Sequence, residues 1–122
     1  MSAHPIVHIE FSAKDPEAAG TFYAELFGWQ VASMPDFDYV TFNSEGGPGG
    51  GFVRVSNEGP VSYRPGDVIA YIGTDDIEAT LAKVEALGGK TLLGKTEIPN
   101  IGWFAIFADP TGNRIGLFTG KG

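Results

Sequence analysis

The sequence predicts an α+β fold of two β-α-β-β-β modules. Three observations carry that expectation. Strand-like apolar runs and helix-start signals occur in the same order in both halves. The two halves align with each other. The chain also holds 18 glycines in 122 residues, about twice the usual share, which implies many tight turns or close backbone approaches.

The elements follow in order. Residues 6–13 alternate and are rich in β-formers, so they read as a strand. Asp15 caps a helix with Pro16 at its first position. Ala19, Phe22, Tyr23, Leu26 and Phe27 share one helical face, which assigns Phe22, Tyr23 and Phe27 to the core, and Gly28 ends the helix. Strands are expected at 29–34, 37–43 and 51–55, with a flexible glycine-rich stretch at 44–50. The polar segment 56–66, with Pro60 and Pro65, is a connector. The order then restarts with a strand at 68–74. Asp75 and Asp76 precede a helix bearing Ile77, Leu81, Val84 and Leu87 on one face, closed by Gly88 and Gly89. Strands follow at 90–97, 103–108 and 114–119, the last two joined by Asp109-Pro110-Thr111-Gly112-Asn113, which has hairpin-turn chemistry.

The internal match is specific. At an offset of 61, Asp15 meets Asp76, Glu17 meets Glu78, Leu26 meets Leu87 and Gly28 meets Gly89. Beyond the helices the offset is 65, and Tyr39 meets Phe104, Phe42 meets Phe107 and Gly51 meets Gly116. One domain is expected, with module one at 1–57 and module two at 67–122.

Composition narrows the function. The chain has no cysteine, which removes thiolate chemistry and disulfides. Acidic residues outnumber basic ones 15 to 8, so nucleic acid and anionic membranes are poor partners and cationic or neutral ligands are favoured. No apolar run approaches the roughly 20 residues of a membrane helix, and the first residues lack a basic leader. A cytoplasmic protein is expected. Residues 89–96 match the phosphate-loop pattern, but they follow a helix and lead into Glu97-Ile98-Pro99, so they read as a strand rather than a nucleotide site.

The order of motifs resembles a known family. His8-Ile9-Glu10-Phe11, Asp15-Pro16 and Phe22-Tyr23-Ala24-Glu25-Leu26-Phe27-Gly28-Trp29 resemble the first half of a vicinal oxygen chelate protein. That superfamily includes glyoxalases, bleomycin-resistance proteins and extradiol dioxygenases. Asp75-Asp76-Ile77, Leu87-Gly88-Gly89 and Asp109-Pro110-Thr111-Gly112-Asn113 resemble its second half. The resemblance implies a mixed sheet curled around a cavity shared by the two modules, with the helices outside, and a homodimer. It also implies metal-ligand positions at His8, Gly51, Ile69 and Gly116. Only His8 offers a donor there, while a catalytic metal needs about three, so no cofactor is expected and a divalent metal would have an incomplete ligand set.

Other residues bear on the same site. His8 and Glu10 lie two apart on a strand and share a face; they are an acid/base pair, or a histidine held by its carboxylate partner. Tyr71 shares the face of Ile69, and Phe118 that of Gly116. With Tyr39, Trp103 and Phe104 they are expected to form an aromatic box for a flat or cationic ligand, with Gly51 and Gly116 either vestigial or opening room for it. The expected function is binding of a small hydrophobic, aromatic or cationic molecule without the full metal site. The alternatives are a metal-dependent lyase, isomerase or dioxygenase using His8, with Glu10 as ligand or base, and a non-catalytic dimeric interaction module.

Overall fold

The computed structural model describes residues 3–121. It divides into two compact units, Val7–Ile69 and the residues from Ala70 onward joined by the N-terminal segment through Ile6. That segment belongs with the later residues because Pro5 accepts a hydrogen bond from the Gly73 amide at 2.9 Å and His4 Nδ1 lies 2.9 Å from the Gly73 carbonyl.

In the first unit, β1 (Ile6–Ala13) leads to α1 (Pro16–Phe27). Asp15 sits in extended backbone and its carboxylate accepts from the Ala18 amide at 3.1 Å, satisfying one of the amides that a helix start leaves open. Gly28 closes the helix in the left-handed region, φ 73°, where a Cβ would be strained. Three strands follow, β2 (Gln30–Met34), β3 (Tyr39–Asn43) and β4 (Gly49–Arg54). A short 3-10 turn, Pro35–Phe37, separates β2 from β3, so β3 begins two residues later than its pattern suggests. Gly49 and Gly50 belong to β4 rather than to a loop. β1 pairs parallel with β4, which pairs antiparallel with β3, which pairs antiparallel with β2.

The second unit repeats this. β5 (Val68–Gly73) leads to α2 (Ile77–Ala86), capped by the Asp76 carboxylate on the Ala79 amide at 3.0 Å. Then come β6 (Lys90–Ile98), β7 (Gly102–Ala108) and β8 (Arg114–Gly120). β5 pairs parallel with β8, β8 antiparallel with β7, and β7 antiparallel with β6. Both units are therefore α+β with mixed pairing. The register makes the duplication concrete. Glu10 opposite Gly51 corresponds to Tyr71 opposite Gly116, and Tyr39 opposite Val53 corresponds to Phe104 opposite Phe118. The phosphate-loop look-alike is β6, as its β-forming residues predict.

Each helix packs on its own module's sheet. Under α1 lie Val40, Phe42 and Phe52, with Ile9, Phe11, Tyr23 and Trp29 against them. Trp29 stacks on Phe42 with centroids 4.3 Å apart. Under α2, Ile77 and Leu81 meet Ala105 and Leu117. The expected core face of α1 is corrected here. Phe22 and Phe27 are 58% and 59% exposed, and Leu87 beyond α2 is 71% exposed. Helix α1 touches the sheet along a narrower stripe through Pro16, Gly20 and Tyr23. Gly20 sets this approach, since a Cβ there would stand 3.1 Å from Val40 Cγ1. The larger side chains at 22, 26 and 27 flank that line instead of filling it.

Candidate functional site

The face of the first sheet away from α1 carries His8, Glu10, Tyr39 and Gly51. Strand alternation puts Ile9, Phe11, Val40 and Phe42 under the helix and these four on the other side. The Tyr39 phenol donates to the Glu10 carboxylate at 2.8 Å. His8 Nε2 lies 2.7 Å from the same hydroxyl. A phenol has one proton, and Glu10 takes it, so the imidazole carries its own proton on Nε2 and donates to Tyr39. Burial lowers the His8 pKa below its ordinary value, which favours this neutral form. Glu10 is itself buried. The result is a chain of three groups, His8 to Tyr39 to Glu10.

Gly51 makes that chain possible. A Cβ on Gly51 would fall inside the Tyr39 ring, on Cε2, Cζ and the hydroxyl oxygen. The Tyr39 ring therefore lies across the glycine and delivers its hydroxyl to β1. The space over Gly51 is taken by the Tyr39 ring, whose hydroxyl bridges His8 and Glu10.

The second unit carries an apolar counterpart. Tyr71, Phe104, Gly116 and Phe118 share the face of their sheet away from α2. A Cβ on Gly116 would strike Cγ, Cδ2 and Cε2 of Tyr71, so this glycine too is covered by a tyrosine ring. Ile69, at the start of β5, is buried. Trp103 is not part of this group. It packs on the α2 side with Ile72 and Phe107, between Lys95 Nζ at 5.2 Å and Lys121 Nζ at 5.4 Å from its centroid. Its neighbour Phe104 points to the opposite face, because adjacent strand residues alternate. Both lysines are paired in turn, Lys121 with Glu97 at 2.8 Å and Lys95 with Glu78 at 3.9 Å.

The four positions that the resemblance marks as metal ligands are thus His8, two glycines under tyrosine rings and a buried isoleucine. Among the described residues no three His, Cys, Asp or Glu side chains gather as a metal cluster. The Tyr39 hydroxyl stands between His8 and Glu10, 2.7 and 2.8 Å from the two. What the trio offers chemically is a neutral imidazole, backed through a phenol by a carboxylate.

Sequence reasoning did not find one feature of the first unit. A cleft of about 570 Å³ opens at the C-terminal end of α1, between Phe27, Trp29, Gln30, Asn43, Ser44 and Glu45. The available signal was the Phe27-Gly28-Trp29 step, which sets two aromatic rings on either side of a left-handed glycine.

Comparison with known proteins is consistent with this geometry. Residues 5–117 match the profile of the Glyoxalase/Bleomycin resistance protein/Dioxygenase superfamily. A glyoxylase-like domain-containing protein of Didymella fabae is 33% identical, covering 93% of this chain and 92% of the relative. The anthracycline biosynthesis protein DnrV of Streptomyces peucetius is 30% identical over 89% of this chain, but the match spans only 44% of DnrV. Among solved structures, a methylmalonyl-CoA epimerase of Streptomyces coelicolor, in complex with 2-nitronate-propionyl-CoA, superposes with a TM-score of 0.67 at 15% identity. The superposition covers 99% of this chain and 100% of the epimerase chain. Among the described residues no helix is long and apolar enough to cross a membrane.

Proposed function

The chain belongs to the glyoxalase/bleomycin resistance protein/dioxygenase superfamily, and from that premise we propose that it binds a small hydrophobic, aromatic or cationic molecule without using a metal. The observation that carries this reading is the donor set. Three of the four inherited ligand positions are Gly51, Ile69 and Gly116, which have no donor side chain. The fourth, His8, directs Nε2 at Tyr39. The residues at these four positions do not fit a divalent metal.

Each unit by itself carries groups suited to ligand contact. In the second, Phe104 and Phe118, half-buried on the sheet face away from α2, give apolar contact. In the first, the His8–Tyr39–Glu10 trio gives polar groups that fix orientation. An epimerase of the same fold was solved with 2-nitronate-propionyl-CoA, so this fold accommodates a small-molecule ligand. A second reading, proton transfer at His8, is favoured by the relay to Glu10.

The test is a thermal-shift panel of planar aromatics, hydrophobic compounds and organic cations. A saturating rise in Tm with at least one class, weakened by Phe104→Ala or Phe118→Ala, is expected. No shift with any class would favour the interaction module instead. Turnover of a bound compound that is lost in Tyr39→Phe would favour the proton-transfer reading.

A further inference from the structure

We propose that the cleft at the C-terminal end of α1 is a second ligand site, one that takes a small organic cation bearing an aromatic ring. It shares no residue with the His8–Tyr39–Glu10 trio, so it stands or falls independently of the reading above.

Size comes first. The cleft measures about 570 Å³, within the range of small-molecule sites. Its walls are preorganised. Trp29 is locked by stacking on Phe42 at 4.3 Å, and Phe27 stands 5.6 Å from Trp29. Gly28 between them is held by its amide bond to the Ala24 carbonyl at 2.9 Å. Gln30 and Asn43 stand opposite each other across β2 and β3, and both line the cleft. The Ser44 hydroxyl donates to the Pro48 carbonyl at 3.1 Å, which anchors the loop carrying Glu45.

Charge then selects the ligand. Among the described residues, Glu45 is the one charged side chain lining the cleft. The C-terminal end of α1 adds partial negative charge from its open carbonyls, and no basic residue stands in its last turn to offset it. An anion meets repulsion from Glu45 and from the helix carbonyls. A neutral apolar molecule wastes Gln30, Asn43 and Glu45. An ammonium group meets a carboxylate, helix carbonyls and aromatic faces that attract cations, while its ring lies on Phe27. The exposure of Phe27, unexplained by the core, has a purpose in this arrangement.

The experiment is an amide-shift NMR titration of the full chain with benzyltrimethylammonium chloride. Saturable shifts are expected at residues 27–30 and 43–45, with a roughly millimolar dissociation constant. Glu45→Gln should weaken binding by at least about fivefold, as should replacing the probe by uncharged benzyl alcohol. Glu58→Gln, an exposed carboxylate outside the cleft, should leave it unchanged. Unsaturable or scattered shifts overturn the proposal. So does benzyl alcohol binding as tightly as the cation, or a Glu45→Gln variant, shown folded by its own spectrum, that binds unaltered.

Discussion

Gly51→Ala is the sharpest test of how the site is built. The backbone at Gly51 is not in the left-handed region, so alanine is conformationally allowed there. On unfolded-state entropy alone it should stabilise the protein by about 0.4–1 kcal/mol. The structure reverses that sign. The new methyl overlaps Cε2, Cζ and Oη of Tyr39, at the far end of the side chain, so the ring moves aside rather than the strand. A shift of about 1 Å is enough to break bonds of 2.7 and 2.8 Å to His8 and Glu10. Overpacking costs about 1–3 kcal/mol. The lost bonds add roughly 1 kcal/mol for the imidazole and somewhat more for the carboxylate. The net expectation is destabilisation by about 2–4 kcal/mol, read as a lower urea midpoint at unchanged slope. In a Tyr39→Phe background the hydroxyl and its bonds are already gone, so Gly51→Ala should cost at least about 1 kcal/mol less there. A neutral or stabilising Gly51→Ala, or strict additivity with Tyr39→Phe, would mean that the Tyr39 hydroxyl is not held over Gly51.

Two further outcomes follow from the same geometry. Gly116→Ala should be worse than Gly51→Ala, because the methyl strikes Tyr71 near the root of its ring, where it has no room to swing; a loss of about 3 kcal/mol or more, near 10 °C in Tm, is expected by thermal melting. Burial holds the His8 pKa below 6.5 in the folded chain, so the unfolded chain takes up a proton first as pH falls. His8 therefore contributes nothing above about pH 6.5 and erodes stability below it, by at most about 1.4 kcal/mol per pH unit, until the folded-state pKa is reached; His8→Gln, followed by urea melts between pH 7.5 and 5, should show a shallower decline than the parent.

Local signals made most of the fold legible. Asp15-Pro16 and Asp76 announce helices because a carboxylate cap acts within one turn. The repeated order survives in the register itself, where Glu10 and Gly51 mirror Tyr71 and Gly116. Side-chain reach was less legible. Helical spacing groups Phe22 and Phe27 with Tyr23, but it cannot report that Gly20 lets the sheet meet α1 along a narrow line. Alternation separates Trp103 from Phe104, yet the sequence does not say which of the two faces α2. The covering of Gly51 and Gly116 by tyrosine rings depends on strand neighbours distant in sequence. The His8–Tyr39–Glu10 trio was half visible, as the i, i+2 pair on β1; its bridge arrives from 29 residues beyond Glu10.

We propose that positions 8, 51, 69 and 116 hold no metal, because only His8 among them carries a donor side chain. Elemental analysis of the untagged protein, before and after incubation with Mn²⁺, Ni²⁺ and Zn²⁺ and buffer exchange, tests it most directly, with His8→Ala as the control. Well under about 0.1 metal per chain, unchanged by the substitution, is the expected result. About one metal per chain, or one per pair of chains, retained through exchange and lost in His8→Ala, would contradict it.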